Sequence, residues 1–145
     1  MVVKAFKNFF KRIFFNLFRS KKELKLGFYG PPNAGKTSLS NRICKDFTGE
    51  EIGVVSKIPH ETRTVQFKEK VEIDYKGKKM LFKLIDTPGI ATKIDYEDFL
   101  KYKMKKKEAK IRAKEATQGV VESIKWLDDM DVVVIVLDAT ENPYN

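Results

Sequence analysis

The stretch Gly30-Pro31-Pro32-Asn33-Ala34-Gly35-Lys36-Thr37 constrains this chain more than any other. Before it, Leu24, Leu26 and Phe28 alternate as a strand does; after it, the run from about Lys36 to Phe47 has helical spacing. Glycines and prolines between them force a tight turn. The pattern is G-x-x-x-x-G-K-[ST] in the strand-turn-helix context it requires. Such a turn aims successive main-chain N–H groups, and the positive end of the following helix, at an anion. Lys36 can then reach the β- and γ-oxygens of a polyphosphate. The Thr37 hydroxyl, with Ser38 beside it, is a neutral oxygen ligand of the kind Mg²⁺ takes.

The rest of the chain supplies a sheet for that turn. Thr48 to Thr64, with Gly49, Gly53 and Pro59, has no periodicity and reads as a long loop, which in a compact domain is usually functional. From Val65 to Tyr75 the odd positions are Val65, Phe67, Glu69, Val71, Ile73 and Tyr75, apolar or aromatic but for Glu69, and the even ones are polar, a half-buried strand. A Lys76-Gly77-Lys78 turn joins it to Met80–Ile85, so the pair forms a hairpin with its first member at a sheet edge. A long lysine-rich helix is expected from about Glu97 to Leu127, with Leu100, Met104, Ile111, Val120, Ile124 and Leu127 facing inward. Val132 to Leu137, unbroken and apolar between Asp131 and Asp138, reads as a parallel strand buried on both faces. Cys44 and Trp126 read as core. The order predicts an α/β fold: an open, mostly parallel sheet with one antiparallel edge strand, spanning 23–145 and preceded by a helix and linker over 1–22.

Asp86 ends the second hairpin strand, where open α/β sheets bind ligands and where a carboxylate can hold the water shell of Mg²⁺. In Asp86-Thr87-Pro88-Gly89 the Pro88-Gly89 step offers a main-chain N–H, unshielded by a Cβ, to a γ-phosphate. Together the Gly30–Thr37 turn with Asn33, the loop Pro59-His60-Glu61-Thr62-Arg63-Thr64 and the Asp86–Gly89 turn resemble the Era and Der branch of translation-associated GTPases, in appearance closest to archaeal Era-like proteins. The resemblance runs from about Leu24 to Asn142 and leaves the N-terminal helix unexplained.

That resemblance implies a P-loop GTPase that binds GTP and GDP with Mg²⁺. Thr62 would be the threonine that closes on the metal and the γ-phosphate, with Thr64 as its rival. Lys36, Thr62 and Gly89 would then carry the chemistry, and Thr37, Thr62 and Asp86 the metal. After Gly89 stands Ile90, where Ras-like proteins place a glutamine that orients water, so slow intrinsic hydrolysis is expected. Asn33 resembles an asparagine that in some relatives helps hold K⁺; the competing reading is that it merely tolerates a turn. His60, the sole histidine, is a conceivable base or an exposed loop residue without a role.

The formal net charge is +9, and the excess is concentrated at the start: Lys4, Lys7, Lys11, Arg12, Arg19, Lys21, Lys22 and Lys25 face only Glu23. Phe6, Phe9, Phe10, Ile13, Phe14, Leu17 and Phe18 recur every three or four residues, an apolar stripe on a basic helix. Two readings stay open: a helix packed on this protein's own core or a neighbouring subunit, or an arm over residues 4–25 that docks on ribosomal RNA or an anionic membrane. No uninterrupted apolar run approaches the ~18 residues of a transmembrane span, and a cytoplasmic location, at most peripheral to a membrane, is expected. The guanine-reading N-K-x-D motif of the resembled family does not occur, which implies an incomplete G domain: a fragment, a chain complemented by another polypeptide, or a degenerate product. A GTP-driven switch is the leading functional expectation. The alternatives are a non-hydrolysing or base-unselective nucleotide module tethered by its helix, and a P-loop ATPase.

Overall fold

A computed structural model describes residues 2–17, 23–50, 53, 63–91 and 93–141. Its elements are α1 (Val2–Leu17), β1 (Glu23–Tyr29), α2 (Lys36–Thr48), β2 (Gln66–Tyr75), β3 (Lys78–Asp86), α3 (Tyr96–Leu100), α4 (Lys106–Leu127) and β4 (Val132–Ile135). The strands lie in the order β2-β3-β1-β4. β1 is parallel to β3 and β4, while β2 is antiparallel to β3 at the edge, as the hairpin pattern predicts. β1 and β3 both end at the site: Phe28 pairs with Asp86, which puts the glycine turn beside the acid.

Leu24, Leu26 and Phe28 of β1, with Val71, Ile73, Phe82 and Leu84, meet Ile43 and Cys44 of α2 in the main core. Cys44 is fully buried. Phe15 of α1 joins the same core, 6% exposed, and its ring lies 5.4 Å from that of Tyr75. Of the two readings of the N-terminal helix, packing on the protein's own core is the one this geometry follows. Helix α2 stops at Gly49, whose left-handed conformation (φ 81°) lets its N–H reach the Lys45 carbonyl.

Five expectations need correction. The register of β2 against β3 shifts between Lys68 and Val71, so the strand's alternation changes face. Phe67 is therefore 52% exposed, with the Lys83 ammonium 4.4 Å from its ring centre, while Val71 and Ile73 stay inside. The single helix expected from Glu97 is two. Tyr102 and Lys103 N–H groups close back on the Phe99 and Leu100 carbonyls and Lys103 turns left-handed (φ 62°), which folds Phe99 onto Ala109 and Ala116. The inner face of α4 is then Ala109, Arg112, Ala116, Gly119 and Ser123, and Ile111, Ile124 and Leu127 are exposed. Finally, Val132, Val134 and Val136 pack on the core, whereas Val133, Ile135 and Leu137 are exposed, so β4 is covered on one face. Trp126 is half-buried, with the Lys83 ammonium 5.9 Å from its ring.

Candidate functional site

The turn between β1 and α2 is built as its residues require. Gly35 caps α2 at φ 89° and Asn33 stands at φ 59°, both left-handed, a conformation that glycine and asparagine adopt at least cost. The turn closes through Ala34 N–H on the Pro31 carbonyl (3.4 Å), and Leu39 N–H begins the helix on the Gly35 carbonyl (2.9 Å). Pro31, Asn33 and Ser38 are exposed, and Pro32, Ala34 and Thr37 are half-buried.

Lys36 is only 6% exposed, and its Nζ donates to the Pro31 carbonyl at 2.7 Å. Burial drives its pKa from 10.5 down to about 8, against the upward pull of the Asp86 charge. Asp86 is fully buried and accepts a 2.6 Å hydrogen bond from the Thr37 hydroxyl on Oδ2. Burial raises its pKa, with the Thr37 hydroxyl and the Lys36 charge opposing. Oδ1 has no hydrogen-bond partner. Each ion is thus held in a place that penalises its charge. An external polyanion would relieve the lysine, and an external cation the carboxylate.

The Asp86–Gly89 turn is fastened to the glycine turn. Thr87, fully buried, donates its hydroxyl proton to the Phe28 carbonyl at 2.6 Å, and Ile90 N–H donates to the Gly30 carbonyl at 3.0 Å. A Cβ on Gly89 would lie 2.6 Å from Pro32 Cα, so only glycine fits. The structure therefore brings together Gly30, Lys36, Thr37, Asp86, Thr87 and Gly89. Thr62 and His60 lie outside the described residues; Thr64 is described and exposed.

A family model described as 50S ribosome-binding GTPase matches residues 25–145. The chain belongs to that family. GTPase Der of Desulforapulum autotrophicum is 32% identical over 122 residues, covering 84% of this chain and 20% of the relative. GTPase Der of Aquifex aeolicus is 33% identical over 120 residues, covering 83% and 22%. The chain thus spans about a fifth of the length of these curated relatives. Among solved structures, a variant of Aquifex aeolicus Era bound to GDP and AlF4⁻ superposes with a TM-score of 0.58 at 21% identity, over 86% of this chain and 34% of that one. This last likeness is one of fold.

Within this GTPase-family domain three further groups tie the loops to the scaffold, and sequence reasoning missed them. Asn41 of α2, 6% exposed, takes both main-chain groups of Gly53: its amide donates to the carbonyl at 2.7 Å and its Oδ1 accepts the N–H at 3.0 Å. Ser123 of α4 has one hydroxyl proton between two acceptors, the Gly119 carbonyl at 2.8 Å and the Pro88 carbonyl at 3.3 Å, and Tyr29 donates its hydroxyl proton to the Ser123 carbonyl at 3.0 Å. Arg63 pairs with Glu115 at 2.9 Å. A signal existed for the α4 contact, since Gly119 interrupts an otherwise good helix, and such a glycine usually has a packing reason.

The low pKa of Lys36 predicts how nucleotide affinity responds to pH. A polyphosphate seated on the charged lysine would raise its pKa, so above about 8 such binding would take up a proton. Affinity for GDP should fall as pH rises through about 8, by up to ~tenfold per pH unit. Stability of the empty domain should move the other way. Below about 8 both folded and unfolded lysine are charged; between about 8 and 10.5 the unfolded chain binds more protons, so this group's contribution to stability rises with pH. Calorimetric titrations across that range, in buffers of different ionisation enthalpy, read the first effect, and denaturant melts of the empty domain read the second.

Proposed function

We propose that this chain is the phosphate-and-magnesium part of a GTP-binding switch that hydrolyses GTP slowly. The observation that carries the reading is the pair of buried, opposite charges on Lys36 and Asp86, joined by the 2.6 Å Thr37–Asp86 hydrogen bond within a turn shaped for an anion. Thr37 Oγ1 and Asp86 fit Mg²⁺, because Oδ1 of a fully buried carboxylate has no partner and is destabilised as an ion. Thr62 is the proposed third oxygen ligand. The metal, when bound, would neutralise developing charge on the phosphate oxygens. Lys36 holds the β- and γ-phosphates, and the main chain at Gly89 reads the γ-phosphate. Its state passes to α4 through the close packing of Pro88 on Gly119 and Ser123.

Ile90 favours slow turnover. It lines an apolar pocket with Tyr29, Leu127, Val133 and Ile135, and its own side chain has no polar group with which to orient an attacking water. The same observation supports the second reading, a nucleotide-binding module that does not hydrolyse. Guanine preference and a ribosomal RNA partner follow from the family and are proposals for this chain, as is a further polypeptide stretch against β4. Among the described residues no helix is long and apolar enough to cross a membrane.

The test is turnover of GTP and ATP by the purified chain, with Mg²⁺ and with chelator, in sodium and in potassium. Slow, chelator-sensitive hydrolysis of GTP that ATP does not compete away is expected. Binding without turnover favours the second reading, equal use of both nucleotides removes guanine preference, and no binding of either overturns the proposal. Identical rates in the two salts would leave Asn33 to its turn and K⁺ out of the chemistry.

A further inference from the structure

The end of the sheet farthest from Asp86 carries a groove of different chemistry. Tyr75 pairs with Lys78 there, while at the other end of β2 Gln66 pairs with Asp86. Helix α1 lies across this far end. Lys11 Nζ donates to the Asp74 carbonyl at 2.5 Å, and Lys7 Nζ donates to the Asp46 carbonyl at 2.5 Å. Between α1 and the hairpin turn, Arg12, Lys76, Lys78 and Asn16 line a space of about 280 Å³. An adjoining space of about 510 Å³ shares Arg12 and Tyr75 and adds Asn8 and Phe9. No carboxylate lines either part among the described residues. On the same strand as Tyr75, Glu72 pairs with Lys79 at 2.8 Å, and Asp74 Oδ1 accepts the Gly77 N–H at 3.3 Å.

Three cations, two side-chain amides and an aromatic ring 53% exposed at Phe9 are the complement of a polyanion with flat bases. A bilayer is a poorer match. An interfacial helix must turn freely to lay its apolar stripe on the lipid, and here Ile13 of that stripe and the adjacent Phe15 pack on the core, while Lys7 and Lys11 are tied to main-chain carbonyls. We propose that this groove binds a single-stranded polynucleotide, with phosphates on Arg12, Lys76 and Lys78 and a base stacked on Phe9. The proposal narrows the RNA partner suggested above, and its test reads oligonucleotide and GDP binding separately, so that either reading can fail alone.

Fluorescence anisotropy of labelled oligo(U) and oligo(dT) with the 145-residue chain, at low and high salt, is the measurement. Three phosphate contacts at roughly 0.7 each predict a log–log salt slope of about −2. Combining Arg12→Gln, Lys76→Asn and Lys78→Gln should flatten that slope and weaken binding at low salt by about tenfold or more, with GDP affinity unchanged. Asparagine is chosen at position 76 because Lys76 is left-handed (φ 53°). Phe9→Ala should weaken binding by roughly tenfold without altering the slope. If the triple variant loses GDP binding, the two turn substitutions alone, which leave α1 intact, replace it and should remove about two thirds of the slope. Unchanged oligonucleotide binding in a variant that still binds GDP overturns the proposal. So does capture by phosphatidylserine vesicles through the same cations when neither oligonucleotide binds.

Discussion

Replacing Lys36 by methionine should weaken GDP and GTP binding by roughly two to three orders of magnitude and abolish the loss of affinity above pH ~8. Truncating one partner of a buried, hydrogen-bonded charge pair costs about 2–5 kcal/mol, or roughly 30- to 5,000-fold. Lys36 meets the condition, being 6% exposed and held by the Pro31 carbonyl at the mouth of the turn. Methionine keeps the length and apolar stem, so packing is nearly preserved. The pH profile separates a specific role from general loss of charge, because only the group that titrates near 8 can remove it. Lys45→Met, at the other end of α2, is the control and should change neither quantity. An affinity loss shared by that control, or a pH dependence that survives in the Lys36 variant, would show that the phosphate contact lies elsewhere.

Substituting Gly119 should uncouple α4 from both loops and destabilise the domain. A Cβ there would sit 2.7 Å from the Arg63 carbonyl oxygen and 2.9 Å from Pro88 Cβ. Two effects oppose each other. Alanine in a helix interior gains about 1 kcal/mol over glycine, whereas forcing atoms into a closed contact costs about 1–3 kcal/mol. Gly119→Ala should therefore be close to neutral or destabilising by about 1 kcal/mol. Gly119→Val has more volume and no comparable helix gain, and should cost about 3 kcal/mol, which lowers Tm by roughly 6–12 °C in a domain of this size. The displaced atoms belong to the residue that hydrogen-bonds Ser123 and precedes Gly89, so discrimination between GTP and GDP should shrink as well. A valine variant as stable as the parent would mean that α4 stands farther from the loops.

The elements that sequence patterns revealed are those whose burial is set by neighbours along the same strand or helix. Leu24, Leu26 and Phe28 alternate because one face of β1 packs on α2, and the Gly30–Thr37 turn announces itself because its conformation is written in glycine and asparagine. Asp86 was legible from its place at the end of an apolar strand. What escaped depends on contacts between distant segments. Phe67 obeys the period of two, yet the bulge at Lys68–Val71 turns it outward, and nothing in the local alternation records a slip in pairing. On α4 apolar size is no sign of burial. Close approach to Pro88 and Arg63 requires small residues there, so Gly119 and Ser123 are inside and Ile124 and Leu127 are out. Asn41 was unreadable for the same reason, since its partner is the main chain of Gly53.

The outer edge of β4 has a consequence for work with this polypeptide in isolation. Main-chain donors and acceptors along Val132–Ile135 face away from β1, beside Ile135 at 62% and Leu137 at 68% exposure. Such a margin is sticky: it can recruit any extended segment, including another molecule's, and the greasy flank rewards the union. Dilute samples, or a lysine introduced at Ile135, should keep molecules apart long enough for the nucleotide and oligonucleotide measurements to report on single domains.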